Sequence, residues 1–201
     1  MTDCIARHWR VLSMAVSLLA FCSTSRAQPD DQFIARHAAA LNAGEVALEL
    51  EKYGPVTHVD TAIVIDAEPQ TIWDILVACE IAPDYVPNVV ACRSLQIINE
   101  GRAELFIQTV KPAFFIPAFE HVFRMDYERW ERIVISRVSG PIRQLNSTWN
   151  LEPRTDGSIL LTYTLQVDPG IPIPRLFVRQ TLRRDLPRVL EGIRTRAESM
   201  R

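Results

Sequence analysis

Two hydrophobic periods divide the chain. Val46, Leu48 and Leu50 alternate against Glu45, Glu49 and Glu51, which predicts a half-buried strand. Gly54-Pro55 turns the chain into THVDTAIVIDA, where β-branched residues predict a second strand in a hairpin with the first. The period then lengthens. In AEPQTIWDILVACEIAPDYVP, Ile72, Trp73, Ile75, Leu76 and Cys79 share one face of a helix, and Pro69 suits its first turn. Pro83 and Pro87 stop that helix and begin a short second one. Period two returns in VVACRSLQIIN, RAELFIQTV, HVFRMDYER, RIVISRVSG, QLNSTWNLEP and SILLTYTLQVDP. Asn99-Glu100-Gly101, Gly140-Pro141 and Asp156-Gly157 mark turns among these strands. A long helix from Arg175 ends the pattern, with Val178, Leu182, Leu186, Val189, Leu190 and Ile193 as its apolar stripe and a kink expected at Pro187. Ahead of the first strand, QPDDQFIARHAAALNAG reads as a polar leader and a short alanine-rich helix.

With no internal repeat, low-complexity tract or linker, this order predicts one α+β domain. A meander of strands buries one face, and the long helix is the element expected to cover it. A curved sheet gripping one helix leaves a space lined by alternate strand positions. The expected lining is Phe123, Met125 and Tyr127, then Ile133 and Ile135, then Trp149 and Leu151, then Leu161, Tyr163 and Leu165. The helix is expected to add Phe177, Val178, Thr181 and Leu182. Arg137 shares the inward parity of Ile133 and Ile135. Such an arginine needs a ligand carboxylate or head group, an internal acid, or a strand edge that lets it reach water.

The two ends change the setting. Arg7 and Arg10, the apolar run VLSMAVSLLAFC, and then Ser25 and Ala27 make residues 1–27 an expected signal peptide, cleaved after Ala27. The run is too short to span a bilayer; the other reading is an amphipathic anchor that is retained. A periplasmic or secreted location follows. Cleavage would leave 19 basic against 23 acidic residues, a formal −4. From Arg175 onward, eight arginines face three acids, so the rest of that chain carries −9. An acidic body argues against nucleic acid as a partner. The basic end permits transient attraction to an anionic membrane, or is simply a solvated helix face. Cys79 and Cys92 remain, a pair close enough in sequence for a disulfide in an exported protein, or else two buried thiols.

Catalytic signatures are absent from the sequence. His37, His58 and His121 lack metal-ligand spacing, so no metal is expected. The glycines are isolated, with no phosphate-cradling loop or dinucleotide fingerprint, and no cofactor is implied. There is no G-x-S-x-G elbow.

Several stretches resemble the START-like, helix-grip superfamily, also called SRPBCC or pollen-allergen-like. They are Asp66-Ala67-Glu68-Pro69 with Ile72-Trp73-Asp74-Ile75-Leu76, then Tyr85-Val86-Pro87-Asn88-Val89, and finally STWNLEPRTDGSILLTYTLQVDPGIPIPRLF. The likeness runs over residues 58 to 198 and is greatest to the polyketide-cyclase/coenzyme-Q-binding START branch. It implies a helix-grip fold, with a curved antiparallel sheet of six to eight strands around the C-terminal helix and a hydrophobic cavity between them. It also implies a hydrophobic small-molecule ligand such as a lipid, quinone or sterol. A minority of the family are cyclases, and on that alternative Tyr163, Arg137 or Asp74 would transfer protons. The expected division is a signal peptide at 1–27, an N-terminal extension at 28–57, and a START-like domain at 58–201. The signal and the added helix and hairpin strand set this chain apart from the usual member.

One connection has the wrong composition for a turn. KPAFFIPAFEH carries Phe114, Phe115, Ile116 and Phe119 between two prolines that keep it out of a ladder. It is either a gate or membrane-touching tip at the cavity rim, or a cap folded inward over the core.

Overall fold

The computed structural model describes residues 31–170 and 175–201. The expected signal peptide and residues 171–174 (IPIP) lie outside the described residues. Helix α1 (Asp31–Asn42) leads into the hairpin of β1 (Ala47–Tyr53) and β2 (Val56–Ile65). Helix α2 (Pro69–Val77), a single 3-10 turn at Cys79–Ile81 and helix α3 (Ala82–Tyr85) follow. The meander is β3 (Val89–Ile98), β4 (Ala103–Val110), β5 (Phe119–Glu128), β6 (Arg132–Ser139), β7 (Gln144–Pro153) and β8 (Ile159–Asp168), and α4 (Arg175–Ser199) completes the chain.

All eight strands form one antiparallel sheet in the order β1-β2-β8-β7-β6-β5-β4-β3. Because β8 pairs with β2, the α2–α3 segment must cross from one end of the sheet to the other. That crossover lays two short helices beside α4 on the concave side, and the curved sheet wraps this layer in a helix-grip fold. The main core lies there. Ile63, Ile72, Phe106, Ile133, Leu161, Leu190 and Ile193 are all essentially inaccessible to solvent.

The prediction that the sheet buries one face needs amending. Helix α1 covers part of the convex side, where Phe33 and Leu41 pack on Ala47, Ala62 and Leu160. Ala47 and Ala62 are cross-strand partners, and two small side chains let the helix approach the sheet closely. On the concave side, Gly192 of α4 does the same for α3, since a Cβ there would sit 3.0 Å from Tyr85 Cβ. Arg196 reinforces that contact, pairing with Asp84 at 3.0 Å and lying over the Tyr85 ring. Pro187 sits inside an α4 that runs as one element from Arg175 to Ser199.

Candidate functional site

Between the concave sheet and the helices lies a cavity of about 290 Å³. Its floor is Val89 of β3, Gln108 and Val110 of β4, His121, Phe123 and Met125 of β5, Ile135 of β6, Leu145, Ser147 and Trp149 of β7, and Tyr163 of β8. Its roof is Leu76, Cys79, Ala82, Tyr85 and Val86 from the crossover, with Leu186, Val189 and Ile193 from α4. Ile142 of the β6–β7 turn closes one side. Such a lining excludes ions and favours an apolar occupant. A larger hollow of about 560 Å³ lies beside Leu48–Glu51 and Arg183, but it is an open surface groove edged by charge.

Of the residues expected to line the cavity, Phe123, Met125, Ile135, Trp149 and Tyr163 do so. Trp149 and Tyr163 are cross-strand neighbours whose rings stack at 4.1 Å between centroids. The others fall outside it. Ile133, Leu151, Leu161 and Leu165 have the correct parity but are consumed by core packing. Tyr127 packs edge-on against Trp73 at 5.8 Å and its hydroxyl reaches Glu104 at 3.4 Å, so burial beside that acid raises its pKa. On α4, Phe177, Val178, Thr181 and Leu182 all precede the part of the helix that reaches the cavity, which Leu186, Val189 and Ile193 meet instead.

Arg137 corrects the sequence reading most clearly. Arg137 lies opposite Phe123 across the β5–β6 ladder, beyond the last residues that pair β6 with β7, and it does not line the cavity. Arg137 is exposed, and its guanidinium donates to the backbone carbonyls of Ile142 and, at 2.8 Å, Gly140. It braces the β6–β7 turn. Asp74 is exposed on α2.

A polar row interrupts the apolar inward face of the sheet. Cys92, Gln108 and His121 are successive cross-strand partners on β3, β4 and β5. His121 Nε2 lies 3.0 Å from Gln108 Oε1, and Gln108 Nε2 lies 3.9 Å from Cys92 Sγ. His121 is 5% exposed, and burial pushes its pKa down to about 4. Its parity with Phe123 was available from the sequence, as was that of Ser147 with Trp149. Gly140 presses on the back of His121: a Cβ there would stand 2.7 Å from His121 Cβ, and φ is +112°.

The remaining polar groups differ in how well they are satisfied. The Tyr85 hydroxyl donates to the Ile75 carbonyl at 3.2 Å, and burial lifts its pKa to about 12. Burial also raises Tyr163, and the nearby Ser147 hydroxyl draws it partly back. Ser147 Oγ nevertheless has no hydrogen bond of ordinary geometry. Cys79 of the roof and Cys92 of β3 are joined as a disulfide, with Cα atoms 5.3 Å apart. Among the described residues no three His, Cys, Asp or Glu side chains cluster to hold a metal ion, and no helix is long and apolar enough to cross a membrane.

The connection at residues 111–118 lies at the cavity's edge, since Val110 and His121 on either side both line it. Phe114 is 92% exposed and Phe115 is 57% exposed, so these two rings face outward and do not cap the core. Ile116 and Phe119 are half-buried. The Lys111 amide donates to the Asn88 carbonyl at 2.8 Å, and Asn88 Nδ2 donates to Asp185 of α4 at 2.9 Å. This chain of bonds ties the start of the loop to the helix.

Residues 65–194 match the family described as polyketide cyclase / dehydrase and lipid transport. Solved structures give the same fold. A START superfamily protein from Mycobacterium smegmatis superposes with a TM-score of 0.62 at 20% identity, over 72% of this chain and 99% of that one. A STAR-related lipid transfer protein from Xanthomonas axonopodis gives 0.66 at 15% identity, over 76% and 93%. The Zhui aromatase/cyclase from Streptomyces sp. R1128 gives 0.60 at 16% identity, over 71% and 94%. No curated protein matches the sequence.

Proposed function

We propose, from the premise that this chain belongs to the polyketide cyclase / dehydrase and lipid transport family, that it binds and carries a hydrophobic small molecule without chemically altering it. The observation that carries this reading is the cavity itself: about 290 Å³ between sheet and helices, walled mainly by aliphatic and aromatic side chains. A ligand held there is shielded from water along its apolar length. The exposed Phe114 and Phe115 supply a route in. Phe115 packs on Phe177 of α4, whose neighbour Leu176 is 66% exposed, and these apolar groups suit transient contact with a membrane surface. The same role suits an exported protein, since an apolar molecule crossing an aqueous compartment needs a carrier.

A cyclase-type activity in the same cavity is the second reading, favoured by the Tyr163 hydroxyl among the lining groups. Its chemistry is poorly provided for. Arg137 and Asp74 lie outside the cavity, the Tyr163 phenol is harder to ionise than usual, and His121 is a weak base. The two readings separate on one experiment. The full chain is expressed for export in a bacterial periplasm and examined by native mass spectrometry, and the released molecule is identified. A stoichiometric apolar molecule recovered unchanged after prolonged incubation supports a carrier; its conversion to a product establishes an enzyme.

A further inference from the structure

The two ends of the sheet differ in the charge of their connections. Val110 pairs with Phe119, Val122 with Ser139 and Gln144 with Asp168, so the β4–β5 and β6–β7 connections leave one end, where β8 also finishes. Lys111 and Arg143 are the only charged residues in these two connections, residues 111–118 and 140–143. At the opposite end each connection is balanced: Glu100 with Arg102, Arg129 with Glu131, Arg154 with Asp156. Helix α4 divides in the same way. Towards the C-terminus its arginines are tied to the body, Arg194 to the Gly44 carbonyl at 2.6 Å, Arg196 to Asp84 and, past the helix, Arg201 to Asp66. From Arg175 to Arg188 five arginines stand against Asp185, which Arg184 and Asn88 already hold. Lys111, Arg143, Arg179, Arg183 and Arg188 are exposed and make no ion pair among the described residues. Nearby acids are engaged elsewhere: Thr109 donates to Glu120 at 3.4 Å on the convex side, and Asp168 accepts the Gly170 amide at 3.0 Å.

We infer that this end of the sheet is a docking face for a bilayer that bears anionic lipids. The partner follows from charge and exposure together. For Phe114, Phe115 and Leu176 alone, any bilayer would offer an apolar boundary. The unpaired cations narrow the choice. Arg184 and Arg188 lie at helical spacing from Phe177, on the flank of α4 that meets Phe115. Cations beside an apolar tip, on a chain that is acidic elsewhere, add attraction to a negative surface and set the approach. Such a surface repels the acidic remainder, so the molecule meets it with this end leading. Val110 and Ile142, which line the cavity, lie at the same end. The inference rests on the proposed carrier role and names the surface with which the cargo is exchanged.

The test is co-sedimentation of the full chain, expressed for export, with two kinds of vesicle. One is phosphatidylcholine alone and the other contains about one third phosphatidylglycerol. The wild type should bind the anionic vesicles at least about tenfold more tightly, and about 1 M salt should abolish the preference. Two double variants of equal charge change locate the face. Lys111→Gln with Arg143→Gln should weaken binding to the anionic vesicles by roughly fivefold per cation and leave the neutral vesicles unaffected. Arg102→Gln with Arg129→Gln, at the opposite end, should change it by less than about twofold. All four side chains are exposed, and the salt response of the wild type reads the same attraction without a variant. Equal affinity for both vesicles, or equal losses in the two variants, overturns the inference. So does a preference for heparin, a soluble polyanion, in competition with the anionic vesicles. A chain that holds an apolar molecule by native mass spectrometry yet binds neither vesicle overturns docking and leaves the carrier reading intact. A chain that docks but is empty supports the docking face and overturns the carrier reading.

Discussion

Phe115 of the β4–β5 connection meets Phe177 of α4 edge-to-face, with ring centroids 5.8 Å apart. This contact joins the loop to the helix beside the cavity, and Phe114 packs on Phe115 at 5.2 Å while remaining outside. Rings held this way contribute little to the core. Replacing Phe114 and Phe115 with serine should change unfolding free energy by less than about 1 kcal/mol. Exchange of a bound fluorescent lipid with vesicles should slow several-fold, measured by stopped-flow transfer. Loss of folding would show that the stretch is structural.

Acid should weaken the fold through His121. Its pKa falls from 6.5 to about 4 on folding, so between those values the unfolded chain holds more protons than the folded one. Stability from this group is fully present above pH 6.5 and is lost as pH falls toward 4. The loss approaches about 3 kcal/mol at the acid end. Urea unfolding of the wild type and His121→Phe across this window measures it, and the variant should have the flatter profile.

The Cys79–Cys92 link closes a short loop between the cavity roof and β3. Alkylation without reductant should leave both thiols unmodified, and mass should rise by two adducts after reduction. Replacing both with alanine should cost about 3 kcal/mol in the chain-entropy picture. Labelling of both cysteines without reduction would contradict the pairing.

Gly140→Ala should act on the site from behind. The added methyl would fall 2.8 Å from His121 Cα and 2.9 Å from the Glu120 carbonyl at a φ of +112°. A cost of about 2 kcal/mol is expected, measured by calorimetry.

Much of this architecture is legible in the chain because period two and period 3.6 are both long and uninterrupted. The hairpin, the crossover helices, six meander strands and α4 all follow from that alternation. The site is less legible because parity says which face a residue occupies but not where the cavity stops. Ile133 and Ile135 share a face, yet only Ile135 reaches the space. Arg137 continues the same parity opposite Phe123, yet it is exposed and bonded to the β6–β7 turn. On α4 the apolar stripe was visible from Val178 to Ile193, but which part meets the cavity depends on where the crossover sets the helix down. Gln108, His121 and Ser147 stayed hidden for a different reason. These are the positions where the inward face turns polar, so they break the apolar alternation that marks a lining.

The central claim is that an apolar molecule occupies the space between the sheet and α4. Val189 lines that space, and Val189→Trp should fill much of it with the protein's own side chain. Native mass spectrometry of the wild type and this variant, expressed side by side, is the direct measurement. One small apolar molecule per chain is expected in the wild type and none in a folded Val189→Trp. The same bound mass in both proteins would contradict it, because the molecule would then be held elsewhere.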